Sequence, residues 1–473
     1  MITVVGAGPV GLVTALLAAR AGMDVQVLEQ RRKLPIDKAC GEGLMPGGVE
    51  ILRDLNVDID QDGCSPFVGV RWIDELSVAE GRFPAGPGLG LRRVHLHRGL
   101  WEAARREGVP VHLGARVTGL SPEGVLCSEG LFSSRWILAA DGLHSGLRKL
   151  GGLSLGPGPR PRFGLRRHYA VSPWTDFVEV HWAPGVEAYV TPVGPRRVGV
   201  AFLWSGEKAH FDQLLERFPR LQRRLEGAPV DSQDLGAGPL HQRVSSVVSG
   251  RLALVGDAAG YLDALTGEGL SLGFQQAASL VRAIQAGDLR FYVQEHAELV
   301  RLPLTMMHLL LFAARNPPLR ARLIRSLSSR PDTFGRLLAL NDGASLSSLG
   351  LGRVLSLGAG MVVWGALLQP QPRAEPVLEP RRVGDPVAGQ VERPGLRQPR
   401  RQRVRAGLTD LVVGQQQRGE RARGERDGAV VGHAVPAQVQ RVQLPRRDPA
   451  RARVTQRVAV QDERGQRWRA PAQ

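Results

Sequence analysis

The sequence predicts an α/β fold: a discontinuous Rossmann-type nucleotide-binding unit, an antiparallel β-sheet domain set into it, and a helical C-terminal region. Three observations predict this. Residues 1–29 read as strand, glycine turn, helix and strand. Residues 163–204 change to alternating strands joined by Pro-Gly turns. After residue 257 apolar residues recur at helical spacing.

The first strand, residues 2–5, runs into Gly6-Ala7-Gly8-Pro9-Val10-Gly11. A helix over 9–21, opened by Pro9 and closed by Gly22, leads to a strand over 25–28. Gly6 permits the tight turn, Gly8 lets backbone approach a pyrophosphate, and Gly11 lets the helix pack closely on the strand. The helix N-terminus then offers free N–H groups and the positive end of its dipole to phosphate. Glu29 ends the second strand, 18 residues after Gly11, where a carboxylate accepts from a ribose hydroxyl. Gln30, Arg31 and Val117 are further candidate cofactor contacts. Residues 96–106 then read as a helix, and 109–113 and 136–140 as strands. In the inserted sheet, Phe177, Val178, Val180 and Trp182 form one strand, Tyr189 and Val190 another, and 198–202 a third. Helices are expected over 270–286, 296–304, 307–315 and 319–329. The nucleotide unit is thus expected at 1–155 and 245–300, the substrate domain at 156–244, and the C-terminal helices at 301–368.

The glycine turn alone does not separate FAD from NAD, and two later segments narrow the choice. Ala140-Asp141-Gly142-Leu143-His144-Ser145-Gly146-Leu147-Arg148 follows one buried strand, and Leu252-Ala253-Leu254-Val255-Gly256-Asp257-Ala258-Ala259-Gly260 contains another. With these three motifs in order, the chain resembles the flavoprotein superfamily of aromatic hydroxylases, geranylgeranyl reductases and related FAD enzymes, over residues 1 to about 360. The resemblance implies a Rossmann-type FAD-binding domain, with Asp257, after Gly256, holding the ribityl chain. It also implies that Arg93, in Arg-Val-His-Leu, stands near the FAD phosphates, and that Asp141 and Gly142 belong to the same site. Residues 156–158 and 236–238 are Gly-x-Gly runs without a strand-helix context, so no second dinucleotide site is read. NAD(P)H is then a transient reductant, as in the superfamily.

By the same resemblance, Gly267-Glu268-Gly269 opens a helix pointing at the pyrimidine edge of the flavin. Reduced flavin carries negative charge there, which a helix N-terminus stabilises. Glu268 is either part of that contact or an acid favoured by the helix dipole. Lys38-Ala39-Cys40-Gly41-Glu42-Gly43-Leu44 resembles the Cys-Gly-Glu-Gly segment of the geranylgeranyl reductase branch, which lies beside the flavin. Gly260 and Glu268 fit that branch, since aromatic hydroxylases usually carry His and Gln there. Cys40 is the catalytic candidate, lining the substrate cavity, or else a small buried hydrophobe. Archaeal lipid reductases carry a Tyr-x-Trp-x-Phe-Pro strand; here the stretch is Glu187-Ala188-Tyr189-Val190-Thr191-Pro192, which keeps the proline alone. The expected substrate is therefore a hydrophobic small molecule, isoprenoid, polyketide or aromatic. Oxygen insertion and hydride delivery to a carbon-carbon double bond both remain open.

Of the net charge of +17, residues 370–473 hold +11, from 22 Arg against 11 Asp and Glu, which leaves +6 on the rest. The body is not read as a polyanion binder, and no nucleic-acid partner is expected. The segment from 369 lacks Ser, Lys, Asn, Ile, Phe, Tyr, Met and Cys and offers Trp468 as its lone stacking surface. It reads as a disordered basic tail, or as translation from a shifted frame. A flavin-free scaffold or nucleic-acid-binding protein using this tail is the alternative reading. Cys40, Cys64 and Cys127 have no metal-like or disulfide-like spacing, and no signal peptide precedes the strand at 2–5, so a cytoplasmic setting is expected. The apolar run at 354–368 is shorter than the ~20 residues a span needs. The helices at 302–329, with Arg320, Arg322 and Arg325, read either as core-facing or as a peripheral membrane contact.

Overall fold

A computed structural model describes residues 1–341, so the apolar run at 354–368 and the basic tail from 369 lie outside the described residues. Near the N-terminus, Ile2–Val5 and Val25–Glu29 are buried along their whole length, as strands covered on both faces must be. They are neighbours in a six-stranded sheet ordered Val248–Ser249, Leu252–Leu254, Trp136–Ala139, Ile2–Val5, Val25–Glu29, Val111–Leu113. All pairings are parallel except that of the short Val248–Ser249 strand. The register sets Val5 opposite both Leu28 and Ala139, and Ala139 opposite Leu254. Residues 6, 30, 140 and 255 therefore leave the sheet at one edge. Ligands of open α/β sheets bind at that carboxyl edge. Helices Pro9–Arg20, Arg93–Arg106 and Gly269–Gln285 pack their apolar faces into the core of this unit, around Leu12, Leu16, Leu100, Phe274 and Leu280.

The second sheet has seven strands, in the order Leu235–Ala237, Arg162–Tyr169, Arg197–Ser205, Val186–Gly194, Phe177–Ala183, Gly69–Ile73, Val78–Arg82. Pro184-Gly185 makes one of the expected turns, with Gly185 at φ +74°. Two strands come from residues 69–82, well before the expected span of 156–244, and Gly69–Ile73 pairs in parallel with Phe177–Ala183. These strands cover what would otherwise be an open edge at Phe177–Ala183. Helices Pro317–Ser328 and Pro331–Asn341 in turn pack on Val78–Arg82.

The two helices expected at 296–304 and 307–315 are one, Leu289–Arg315, with Pro303 inside it. Pro303 cannot donate to the carbonyl four residues back, the kind of loss that ends most helices. Tertiary packing outweighs it here. Met307, Leu310, Leu311, Ala313 and Ala314 are buried, and Tyr292 Oη donates to the Leu254 carbonyl at 2.6 Å, tying the helix to the parallel sheet.

Candidate functional site

Close packing explains the glycine turn. Gly6 has φ +105°, and a Cβ on it would stand 2.5 Å from the Ala140 carbonyl oxygen. A Cβ on Gly11 would stand 1.9 Å from the Gly6 carbonyl oxygen, so helix and turn touch backbone to backbone. Gly8 is different: the space where its Cβ would go is open to 3.9 Å, where it meets Arg93 Nη2. Glu29, 5 % exposed, closes the turn, with Oε2 accepting from the Ala7 N–H (2.9 Å) and Oε1 from the Arg31 N–H (2.8 Å). His97 holds the other side and is fully buried, its Nε2–H donating to the Ala7 carbonyl at 2.8 Å. Burial, opposed by that bond and aided by nearby Arg93, lowers its pKa to about 4. The neutral ring with hydrogen on Nε2 fits, because buried Nδ1 faces no acceptor.

The two strand-end loops meet through Arg148. Its fully buried guanidinium donates from Nη1 to the carbonyls of Asp257 (3.2 Å) and Ala258 (3.1 Å), and from Nη2 to the Leu143 carbonyl (2.7 Å) and Gln242 Oε1 (3.2 Å). One side chain thus fixes both loops. Asp141 Oδ2 accepts from the Leu147 N–H (3.1 Å), while buried Oδ1 has no hydrogen-bond partner. Lys38 Nζ stands 3.9 Å from Asp257 Oδ2. Gly256 has φ +64° and its N–H donates to Gln276 Oε1 at 2.8 Å.

The loop carrying Cys40 hangs from the inserted sheet. Arg166 and His168 lie two residues apart and so on one face of Arg162–Tyr169. Arg166 Nη2 donates to Asp37 Oδ1 (2.6 Å) at one end of the loop, and His168 Nε2 is 2.5 Å from Glu42 Oε2 at the other. Arg166 Nη1 also donates to His168 Nδ1 at 3.0 Å. Because arginine only donates, Nδ1 must accept, which leaves the hydrogen on Nε2 for Glu42. Between them Thr191 Oγ1 donates to the Gly41 carbonyl at 2.8 Å. Glu42 is 3 % exposed and takes φ +60°, rare for a residue with a side chain, and its Oε1 accepts from the Arg93 N–H at 2.9 Å. Such a backbone costs about 1–3 kcal/mol, and the buried carboxylate bonds offset it. Cys40, half-buried, accepts at Sγ from the Glu42 N–H at 3.4 Å.

A single cavity of about 680 Å³ joins these parts. Its wall includes Gly6, Gly8, Pro9, Glu29, Gln30, Arg31, Cys40, Arg93, Val117, Asp141, Gly142, Asp257, Gly267 and Gly269. Three expected contacts do not line it. Gly11 is covered by Gly6, and Gly256 by Val10, where a Cβ would have 3.1 Å. Glu268, 5 % exposed, is the N-cap residue of Gly269–Gln285 without a side-chain cap bond. Toward the inserted sheet the wall turns apolar, with Val70, Trp72, Val180, Leu203, Leu310 and Leu338. On the same strand as Thr191, Tyr189 lines this side and its Oη donates to the Leu265 carbonyl at 2.7 Å. Behind it Arg162 binds Glu187 (2.6 Å) and Asp263 (2.8 Å), where burial raises the pKa of both acids despite the arginine.

A dinucleotide fits this wall. An open backbone approach lies at Gly8, Arg93 projects over it with a buried, unpartnered Nε, and Asp141 keeps a buried unpartnered oxygen. Fold and site together define a nucleotide-dependent enzyme with its cleft between a mainly parallel sheet and a mainly antiparallel inserted sheet. Residues 1–287 match the family of the FAD binding domain, and the chain belongs to that family; it is an FAD-dependent oxidoreductase. It is 28% identical over 294 residues to digeranylgeranylglycerophospholipid reductase 1 of Methanococcoides burtonii, covering 57% of this chain and 70% of that protein. It is 28% identical over 316 residues to menaquinone reductase of Mycobacterium tuberculosis, covering 61% and 77%. Among solved structures, a flavoprotein/dehydrogenase from Cytophaga hutchinsonii superposes with TM-score 0.64 at 17% identity, over 78% of this chain and 99% of that one. A geranylgeranyl bacteriochlorophyll reductase-like protein from Thermoplasma acidophilum gives 0.56 at 20%, over 78% and 98%.

Sequence reasoning missed His97, the part Arg148 plays between the loops, and the Arg166-His168 pair. His97 lies in the expected helix at 96–106 and Arg148 closes a quoted motif, so adjacency was a usable signal for both. For Arg166 and His168 there was none, because Asp37 and Glu42, which they hold, lie more than 120 residues away.

Proposed function

We propose that the enzyme, reduced by NAD(P)H, saturates a carbon-carbon double bond in a hydrophobic, isoprenoid-bearing substrate. One observation carries this reading: the Cys40 loop, hung from the inserted sheet, stands where the cofactor side of the cavity meets its apolar side. The similarity to proteins named reductases of isoprenoid lipid and of menaquinone supports it. When bound, FAD supplies the hydride chemistry. The residues of the chain bind and orient. Gly8 and the first helix N-terminus receive the pyrophosphate, Arg93 adds positive charge, and Asp141 and Asp257 accept from the cofactor's hydroxyls. Val70, Trp72, Val180, Leu203 and Leu310 exclude water from the reacting carbons.

The deciding experiment is turnover of prenylated substrates with NAD(P)H in anaerobic and aerobic buffer. Saturated product formed without oxygen supports the reading, whereas product formed only with oxygen replaces it with hydroxylation.

The reading also places the protein in a reducing cytoplasm, with Cys40, Cys64 and Cys127 free, in peripheral contact with a membrane. Leu289–Arg315 is long and apolar enough to span a bilayer, but Met307, Leu310 and Leu311 face the protein. Its outer face exposes Leu304, Leu309 and Phe312 between Arg301 and Arg315, an arrangement suited to resting on anionic lipid. Leu310 of the same helix lines the cavity, which gives a lipid-borne substrate a short way in.

A further inference from the structure

The hydroxyl of Tyr261 is a polar group of the cavity wall with no role so far. All four tyrosines of the chain lie within the described residues. Three hydroxyls are committed: Tyr189 and Tyr292 donate to the carbonyls of Leu265 and Leu254, and Tyr169 accepts from Arg167 Nη1. The hydroxyl of Tyr261 makes no hydrogen bond among the described residues, and Tyr261 lines the cavity.

Its position is fixed. The Tyr261 N–H donates to the Gln242 carbonyl (3.0 Å), and its own carbonyl accepts from the Gln242 N–H (2.7 Å). The ring packs in the cluster of Leu143, Leu240, Leu265 and Leu310. Its Cε2 and Oη lie 3.6 and 3.9 Å from where a Cβ of Gly269 would stand, at the first residue of Gly269–Gln285. The hydroxyl is therefore presented between the helix start on the cofactor side and the apolar side of the cavity. Burial, then the nearby Asp257, Asp263 and Cys40, push its ionisation well above the ordinary phenol range, so the group stays a donor.

A pure hydrocarbon seated here would strip water from the hydroxyl and return nothing. Leaving a buried donor unpaired weakens binding by roughly ten- to a hundredfold. An oxygen of the ligand at the same level removes that penalty. We propose that Tyr261 is a specificity-determining residue that donates a hydrogen bond to an acceptor oxygen of the substrate, selecting a carbonyl-bearing ring beside the prenyl chain over a bare chain. The inference rests on the proposed function and narrows its substrate class.

The test uses the FAD-loaded full chain and its Tyr261→Phe variant, which keeps the ring packing. Tyr261→Met repeats it with a different apolar side chain. Kd is measured by equilibrium dialysis for a prenylated naphthoquinone and for the same side chain as a free hydrocarbon, alongside the FAD Kd and the flavin visible spectrum. The parent should prefer the quinone. Both variants should lose roughly tenfold or more in quinone affinity, change hydrocarbon affinity less than about twofold, and keep the parent's FAD Kd and spectrum. Equal quinone affinity in parent and variants overturns the proposal, as does a parent with no preference for the quinone. A shifted flavin spectrum in ligand-free Tyr261→Phe overturns it too, because the hydroxyl would then serve the cofactor. A chain that binds quinone through Tyr261 yet saturates no double bond anaerobically contradicts the function reading and leaves this inference standing.

Discussion

At Gly11 the first helix rests on the Gly6 carbonyl, and at Gly8 it leaves room, so two glycines three residues apart should respond differently to one added methyl group. Gly11→Ala forces backbone apart and should lower unfolding stability by about 1–3 kcal/mol. Gly8→Ala should melt like the parent and bind FAD at least about tenfold more weakly, because its methyl occupies the approach of the pyrophosphate. Thermal melts and FAD titration of the two variants check the contrast. Burial of His97 has a consequence for pH. Its folded pKa of about 4 lies below the ordinary 6.5, so the unfolded chain takes up the proton first. Its stabilising contribution is complete above pH 6.5 and is lost as pH falls toward 4, by up to about 2 kcal/mol at pH 5. His296, also lowered to about 4 by burial, acts in the same direction. Urea unfolding at pH 7 and pH 5 should show the drop, and a His97→Gln variant should show less of it. These partners were only partly legible in the sequence. The glycines announce themselves through local spacing and the two aspartates through the resemblance of their strand-end motifs, whereas His97 and Arg148 stand beside readable motifs but bond to carbonyls far along the chain.

Elements follow the same division. The strand at 2–5 and the helix after it were readable because burial on both faces demands an unbroken apolar run, and because glycine and proline punctuate their ends. The strands at 69–82 were not. Gly69–Ile73 is five residues long and Val78–Arg82 shows weak alternation, and what makes them strands is the edge of a sheet whose other members lie a hundred residues further on. The sequence reads Leu289–Arg315 as two helices, 296–304 and 307–315; Pro303 is a breaker in isolation, while packing against its neighbours carries one helix through it. That helix also sets a prediction of its own. Leu309 and Phe312 are each 59% exposed, so the double substitution Leu309→Ser and Phe312→Ser should leave melting and FAD binding as in the parent. If the face rests on lipid, co-sedimentation with anionic vesicles should fall by roughly threefold or more. Unchanged sedimentation would contradict the peripheral contact.

At the scale of the whole molecule, the site exists only because residues 6–31, 37–43, 93, 141–148 and 257–269 are brought to one sheet edge and locked there by a few buried side chains. Glu42 links three of the parts, holding the Cys40 loop, the start of Arg93–Arg106 and the inserted sheet in one set of bonds. The most direct measurement is the FAD content and FAD Kd of the purified full chain beside its Asp141→Asn, Asp257→Ala double variant. The account predicts one FAD per parent chain, and binding roughly a hundredfold weaker or more in the double variant at an unchanged flavin-free melting temperature. A parent that takes up no flavin, or a double variant that holds it as tightly as the parent, would contradict it.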